Sequence, residues 1–166
     1  HARDKDAVVA SMLCAEMVCY YTYKGTTVFD RLNEIYKTYG YVLDCNVSIQ
    51  YKGLNAMKEM NAVVDGLKTA KVNKFDIYEV ASIRDYSKDE KTDLATGEVT
   101  PIGSPKTNCV YYELKTGSFV CVRPSGTEPK LKIYYSVKAN NKDDAQAALT
   151  KLQAAMDALL KKVAKN

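Results

Sequence analysis

Arg123-Pro124-Ser125-Gly126-Thr127-Glu128-Pro129-Lys130 joins two runs that alternate like strands, Cys109 to Val122 before it and Leu131 to Val137 after it. In the second run Leu131, Ile133, Tyr135 and Val137 alternate with Lys130, Lys132, Tyr134 and Ser136, the pattern of a half-buried strand. Each proline pushes the residue before it, Arg123 or Glu128, into an extended conformation. Between the prolines lie two hydroxyls and Gly126, which can take a positive φ and lets a ligand approach the backbone closely. Successive N–H groups in such a turn make an anion-binding concavity. Arg123 adds a planar fork that grips a phosphate through two hydrogen bonds. The stretch therefore predicts a phosphate-gripping loop between two strands. The competing account is a structural turn, with Arg123 in a salt bridge and Ser125 and Thr127 bonding their own backbone. Lys130 and Lys132 share a face, so one of them could lean over the same anion, although a solvated sheet edge also accounts for both. The pattern is not a Walker loop, because no Gly-Lys-Ser/Thr opens a helix.

Working outward, Cys109 to Leu114 and Phe119 to Arg123 flank Lys115-Thr116-Gly117-Ser118, a short hairpin turn. Asn141 with Asp144 opens a helix whose apolar face is Ala145, Ala148, Leu149, Leu152, Ala155, Met156, Leu159 and Val163. Residues 84 to 106 are polar and broken by Gly97, Pro101, Gly103 and Pro105, and read as a loop. Its charges (Asp85, Lys88, Asp89, Glu90, Lys91, Asp93) read as solvated rather than as a metal site. Upstream, Phe75 to Ser82 reads as a strand. Leu54 to Leu67 reads as a helix with Met57, Met60, Val63 or Val64, and Leu67 on its core face. Leu43, Cys45, Val47, Ile49 and Tyr51 alternate with polar residues as a further strand.

At Tyr41 the hydrophobic period changes from helical to alternating, which predicts a boundary near residue 40. Residues 1–40 are expected to be a helical pair. The first helix, over residues 6 to 23, is apolar nearly all round and ends at Gly25. The second is capped by Thr27 with Asp30 and closed by Gly40. Residues 41–166 are expected to form an α+β domain: an antiparallel sheet of about four to five strands with helices packed on one face.

A net charge of +4 suits an acidic small substrate and gives little support to nucleic-acid binding. Five cysteines without C-x-x-C spacing argue for reduced thiols in a cytoplasmic protein, not for a disulfide framework or metal site. Glu16 and Lys24 interrupt the best membrane-span candidate, and no secretory leader is present. The single histidine, His1, builds no Ser-His-Asp or Cys-His constellation. Because the chain starts at His1 with a helix almost at once, it reads as a cut from a longer protein. Tyrosine pairs (Tyr20-Tyr21, Tyr111-Tyr112, Tyr134-Tyr135) read as cross-strand and core packing before base stacking.

The Arg123 to Lys130 run, preceded by Val120-Cys121-Val122 and followed by Leu131-Lys132-Ile133-Tyr134, resembles the C-terminal phosphate-binding loop of the α-D-phosphohexomutases, the bacterial phosphoglucomutase/phosphomannomutase family. His1 to Ser11 is similar to the end of that family's third domain, and Tyr36 to Tyr41 to the junction leading into the fourth. The resemblance implies that Arg123 clamps the phosphate that is not being transferred. Ser125 and Thr127 would then donate hydroxyls and Gly126 its amide, with Lys132 or Lys130 assisting. It implies that Lys5 lies close to the reacting phosphoryl group, as charge neutraliser or proton shuttle. The parent enzyme would interconvert hexose 1-phosphate and hexose 6-phosphate through a phosphoserine and a bisphosphate, with magnesium. The phosphoserine, magnesium and sugar-specificity loops of the family are absent from this sequence and would lie upstream. The expected partners are a hexose phosphate and the upstream domains, with neither nucleic acid nor membrane, and the fragment alone is expected to be inactive. The alternative is a free-standing nucleic-acid or phosphopeptide module using Tyr134, Lys130 and Lys132.

Overall fold

In the computed structural model, residues 5–164 are described, so the His1 to Asp4 part of the resemblance lies outside the described residues. The chain divides into two units, one ending at Tyr41 and one beginning at Val42. The elements are α1 (Ala7–Tyr23), α2 (Val28–Tyr39), β1 (Tyr41–Gln50), α3 (Ala56–Thr69), β2 (Lys74–Phe75) and β3 (Tyr78–Asp85). They continue with β4 (Glu90–Asp93), β5 (Val99–Pro101), β6 (Val110–Leu114), β7 (Phe119–Pro124), β8 (Lys130–Ala139) and α4 (Lys142–Val163).

In the first unit the expected caps are present. Asp6 accepts from the Val9 amide at the start of α1. Thr27 and Asp30 bond each other's backbone reciprocally, and Gly40 closes α2 at φ 92°. No residue of α1 is buried: Val8 is 73% exposed and Met12 67%.

The second unit is α+β, as expected, with the sheet order β1-β8-β7-β6-β3-β4-β5 and β2 paired to β3. The pairings from β2 to β8 are antiparallel. One face carries Val110, Tyr112, Leu114, Val120, Val122, Leu131, Ile133, Tyr135 and Val137, all buried. Helices α3 and α4 pack against this face. They contribute Met60, Val64 and Leu67 from α3 and Leu149, Leu152 and Met156 from α4. Each such side chain contributes about 1.5–3 kcal/mol relative to exposure. Tyr112 crosses this core: its ring meets Phe75 edge-on, and its hydroxyl donates to the Leu67 carbonyl at 3.1 Å.

Three expectations need correction. The sheet has eight strands, more than the four to five expected. Residues 84–106 are not an irregular loop, because they carry β4 and β5. The acidic residues there pin turns: Asp93 accepts from the Ala95 and Thr96 amides at 2.8 and 3.0 Å, and Asp89 from Gly103 at 2.9 Å. Side chains that bond nearby backbone in this way replace burial as the source of order. The expected strand over 75–82 is two strands, broken where Asp76 turns back at φ 54°. Smaller differences lie in the helix faces. Met57 is 41% exposed while Ala56 and Val64 are buried, and in α4 Leu160 is buried where Leu159 is half-buried.

On the opposite face, Glu113 accepts from the buried Ser82 hydroxyl at 2.8 Å and from Arg84 at 2.9 Å. The Ser82 hydrogen bond, reinforced by Arg84 and Lys91, holds the Glu113 carboxyl below its ordinary value of 4.5. A depressed native pKa means that this contribution is complete above the ordinary value and is lost as pH falls through the native one. Urea midpoints measured from pH 7 down to pH 3 should therefore fall less steeply for Glu113→Gln than for the parent chain. Because Glu113 is partly exposed, the difference should be modest.

Candidate anion-binding loop

The hairpin β7–β8 places Arg123 opposite Lys132 and Pro124 opposite Leu131. Beyond that pair the Ser125 amide donates to the Lys130 carbonyl at 2.8 Å and closes the loop. The Lys130 amide donates to the Glu128 carbonyl at 2.7 Å, and the Pro129 carbonyl accepts from Tyr51, just after β1, at 2.9 Å. Pro129 has no N–H, so the ladder cannot extend through it.

These bonds decide which groups of the loop are left without a partner among the described residues. The amides of Gly126, Thr127 and Glu128 have no acceptor among the described residues, nor do the hydroxyls of Ser125 and Thr127 have partners. The Arg123 side chain is likewise without a hydrogen-bond or ion-pair partner among them. Arg123, Gly126 and Thr127 are exposed, and Ser125 and Lys132 half-buried. The features required of a purely structural turn, a salt bridge on Arg123 and hydroxyls bonded to their own backbone, are therefore missing. Arg123 and Lys132 are instead a directly opposed like-charge pair, an arrangement that repels unless an anion sits between or above them.

Two details of the sequence reading change. Of the successive loop amides, that of Ser125 is consumed inside the loop, and that of Glu128 joins Gly126 and Thr127 as a donor without an acceptor among the described residues. No sequence signal marks this, because the closing bond depends on the β7–β8 register. Gly126 does not use a positive φ, and a Cβ there would meet nothing within 4 Å. Neither the backbone conformation nor the packing at this position requires glycine. Gly126→Ala should accordingly change stability by no more than about 0.5 kcal/mol. The same variant should weaken phosphate binding several-fold, measured by titration calorimetry beside a urea curve.

Lys130 is less available than Lys132. Its ammonium lies 3.0 Å from the Glu128 carboxylate, and this contact keeps the Glu128 carboxyl below its usual range. Lys5 belongs to the first unit, just ahead of the α1 cap, with φ 56°. Among the tyrosines, Tyr111 stacks on Phe119 at 4.8 Å between ring centres, and the Arg84 guanidinium lies over the Tyr111 ring, 4.8 Å from its centre. Tyr134 lies opposite Cys121, half-buried. Among the described residues no helix is long and apolar enough to cross a membrane.

Comparison with known proteins agrees with this reading of the fold. The family model described as "Phosphoglucomutase/phosphomannomutase, C-terminal domain" matches residues 59–159. A phosphoglucomutase of Staphylococcus saprophyticus is 30% identical over 143 residues, covering 86% of this chain and 26% of the relative. One from Staphylococcus aureus (strain bovine RF122) is 35% identical over 142 residues, with the same coverage of 86% and 26%. The chain thus spans about a quarter of the length of these curated relatives. Among solved structures, pp63/parafusin, a phosphoglucomutase from Paramecium in its open form, superposes with a TM-score of 0.54 at 16% identity. That superposition covers 99% of this chain and 28% of parafusin, and bears on the fold. With the family model spanning most of the α+β unit, the chain belongs to the phosphoglucomutase/phosphomannomutase family and contains its C-terminal domain.

Proposed function

We propose that the loop from Arg123 to Lys130 holds the non-transferred phosphate of a hexose phosphate for a longer phosphohexomutase. The observation that carries this is the opposed pair Arg123 and Lys132 beside a loop with three amides that have no acceptor among the described residues. Arg123 takes two phosphate oxygens through its fork, and Lys132 adds a point charge from the neighbouring strand. The Ser125 and Thr127 hydroxyls and the amides of Gly126, Thr127 and Glu128 supply the remaining donors. Lys130 assists only if Glu128 releases it.

The whole enzyme would interconvert hexose 1-phosphate and hexose 6-phosphate through a phosphoserine and a bisphosphate. A grip on the remote phosphate supplies binding energy that can be used at the reacting end. Positioning and charge stabilisation do most of the work in such transfers. Lys5 would act there, at the reacting phosphoryl group, and residues 1–40 would belong to the preceding domain. The exposed apolar side chains of α1 suit that assignment. No group of three or more His, Cys, Asp or Glu residues among the described ones suits a metal ion. The magnesium of the parent enzyme would take its ligands from other parts of the longer protein. The fragment binds and does not transform.

The test is a chemical-shift titration of the chain with glucose 1-phosphate, glucose 6-phosphate and inorganic phosphate. The amides of Gly126, Thr127 and Glu128 should move together at millimolar ligand. Unmoved amides would sink the proposal. A module for nucleic acid would instead bind oligonucleotides with an affinity that falls steeply as salt rises.

A further inference from the structure

The outer face of the β6–β7 hairpin holds a pair of thiols that phosphate binding does not use. Tyr111 lies opposite Cys121, so Cys109, two residues before Tyr111, is the diagonal neighbour of Cys121 on the same face. Their sulfurs are 3.3 Å apart. The other three cysteines are placed differently: Cys14 and Cys19 are exposed on α1, and Cys45 accepts from the Gln153 amide at 3.5 Å. Cys109 is 7% exposed and Cys121 half-buried, which leaves a narrow approach for a small oxidant. The absence of further ligating groups among the described residues argues against a metal between the sulfurs.

We propose that Cys109 and Cys121 are a reversible dithiol–disulfide pair, oxidised by hydrogen peroxide and reopened by thiol exchange. The two sulfurs are not equivalent. The hydrogen bond between the two sulfurs, with the Arg123 charge adding to it, lowers the Cys109 pKa. That same bond and burial push the Cys121 thiol up. Cys109 is therefore the more readily ionised of the two, and the thiolate is the reacting form. Its sulfur attacks one peroxide oxygen, the O–O bond breaks, and the departing hydroxide takes a proton to become water, leaving a sulfenic acid on Cys109. The Cys121 sulfur then attacks the Cys109 sulfur and displaces hydroxide, which leaves as a second water with the Cys121 proton. In total the two sulfurs give up two electrons, and one peroxide becomes two waters. The bond ties Cys109, the residue just before β6, to β7 two residues before Arg123, and takes an ionisable thiol out of the electrostatic reach of that guanidinium. This inference stands whether or not the loop binds phosphate.

The experiment uses the whole chain with Cys14→Ser and Cys19→Ser, which remove the two exposed thiols. One equivalent of peroxide is added, the remaining thiols are alkylated, and the protein is cut with trypsin without reductant. Trypsin spares Arg123-Pro124, so Cys109 lies in peptide 107–115 and Cys121 in peptide 116–130. The expected product is these two peptides joined, two hydrogens lighter than their sum and separated by dithiothreitol. Cys121→Ser should leave a sulfenic acid on Cys109 that dimedone traps. Cys109→Ser should slow the reaction of Cys121 with peroxide by about tenfold or more. Recovery of the two peptides unlinked, or equal peroxide rates at the two sulfurs, would overturn the proposal. The peptide map of the chain with both cysteines present decides the matter even if a serine variant fails to fold.

Discussion

Replacing Tyr112 by alanine is expected to lower the unfolding free energy by about 3–5 kcal/mol, the range for deleting a large buried aromatic. The ring is fully enclosed, at 0% exposure, between the sheet and α3, and its edge-on partner Phe75 is itself buried at 2%. The hydroxyl adds a separate contribution. Leu67 is in the last turn of α3, where the final four carbonyls of a helix have no partner within it. Tyr112 supplies one from a strand, which ties the end of α3 to the sheet. Tyr112→Phe keeps the ring and strands that carbonyl, and should cost about 1–2 kcal/mol. Urea unfolding followed by circular dichroism measures both. A cost for Tyr112→Phe equal to that for Tyr112→Ala would show that the hydroxyl, not the packing, dominates. Burial also raises the Tyr112 phenol well above its ordinary range, so no titration of this group enters below strongly alkaline pH.

The second large effect is functional. Arg123→Ala should abolish the phosphate-induced shifts of Gly126, Thr127 and Glu128 in the isolated chain. In a full-length phosphohexomutase carrying this domain it should reduce kcat/KM by about 100-fold, equivalent to about 2.7 kcal/mol. That size follows from two charge-assisted hydrogen bonds at about 1.5–3 kcal/mol each, offset by water filling an exposed site. Arg123→Lys should recover only part of the loss, since an ammonium cannot reproduce the two-pronged contact. Because Arg123 is exposed and points away from the helix-covered core, the urea midpoint should stay close to that of the parent chain. A kcat/KM unchanged within about twofold, read through the same relation, would remove Arg123 from the phosphate site.

The two prolines mark the turn between β7 and β8 from residue type alone, and the alternation of Leu131 to Val137 predicts the buried face of β8. The caps at Thr27, Gly40 and Asn141 were equally legible, because capping is local chemistry. What could not be read was set by partners distant in sequence. The Ser125 amide is used up by Lys130, which follows from the register of two strands and not from residue type. Strands β4 and β5 are made of Glu90, Lys91, Thr92, Asp93 and Val99-Thr100-Pro101, with no buried residue among them. Their order comes from backbone pairing at the margin of the sheet and from acidic side chains bonded in turns, neither of which leaves an apolar pattern. Asp76 breaks the expected strand over 75–82 without a glycine or proline to announce it.

The closure of the loop also sets the protonation state of what it can hold. The carbonyls of Glu128, Pro129 and Lys130 are spent on the protein's own amides, while three amides, two hydroxyls and a guanidinium have no hydrogen-bond partner among the described residues. A phosphate held by these amides, hydroxyls and the guanidinium serves them as acceptor. A phosphate monoester gains its third full acceptor oxygen on losing its second proton, near pH 6. Below that pH one phosphate oxygen carries a proton and is a poorer acceptor for the N–H groups. Affinity for a hexose phosphate should therefore rise as pH increases from about 5 to 7, following the ligand's ionisation and not that of any side chain in the loop.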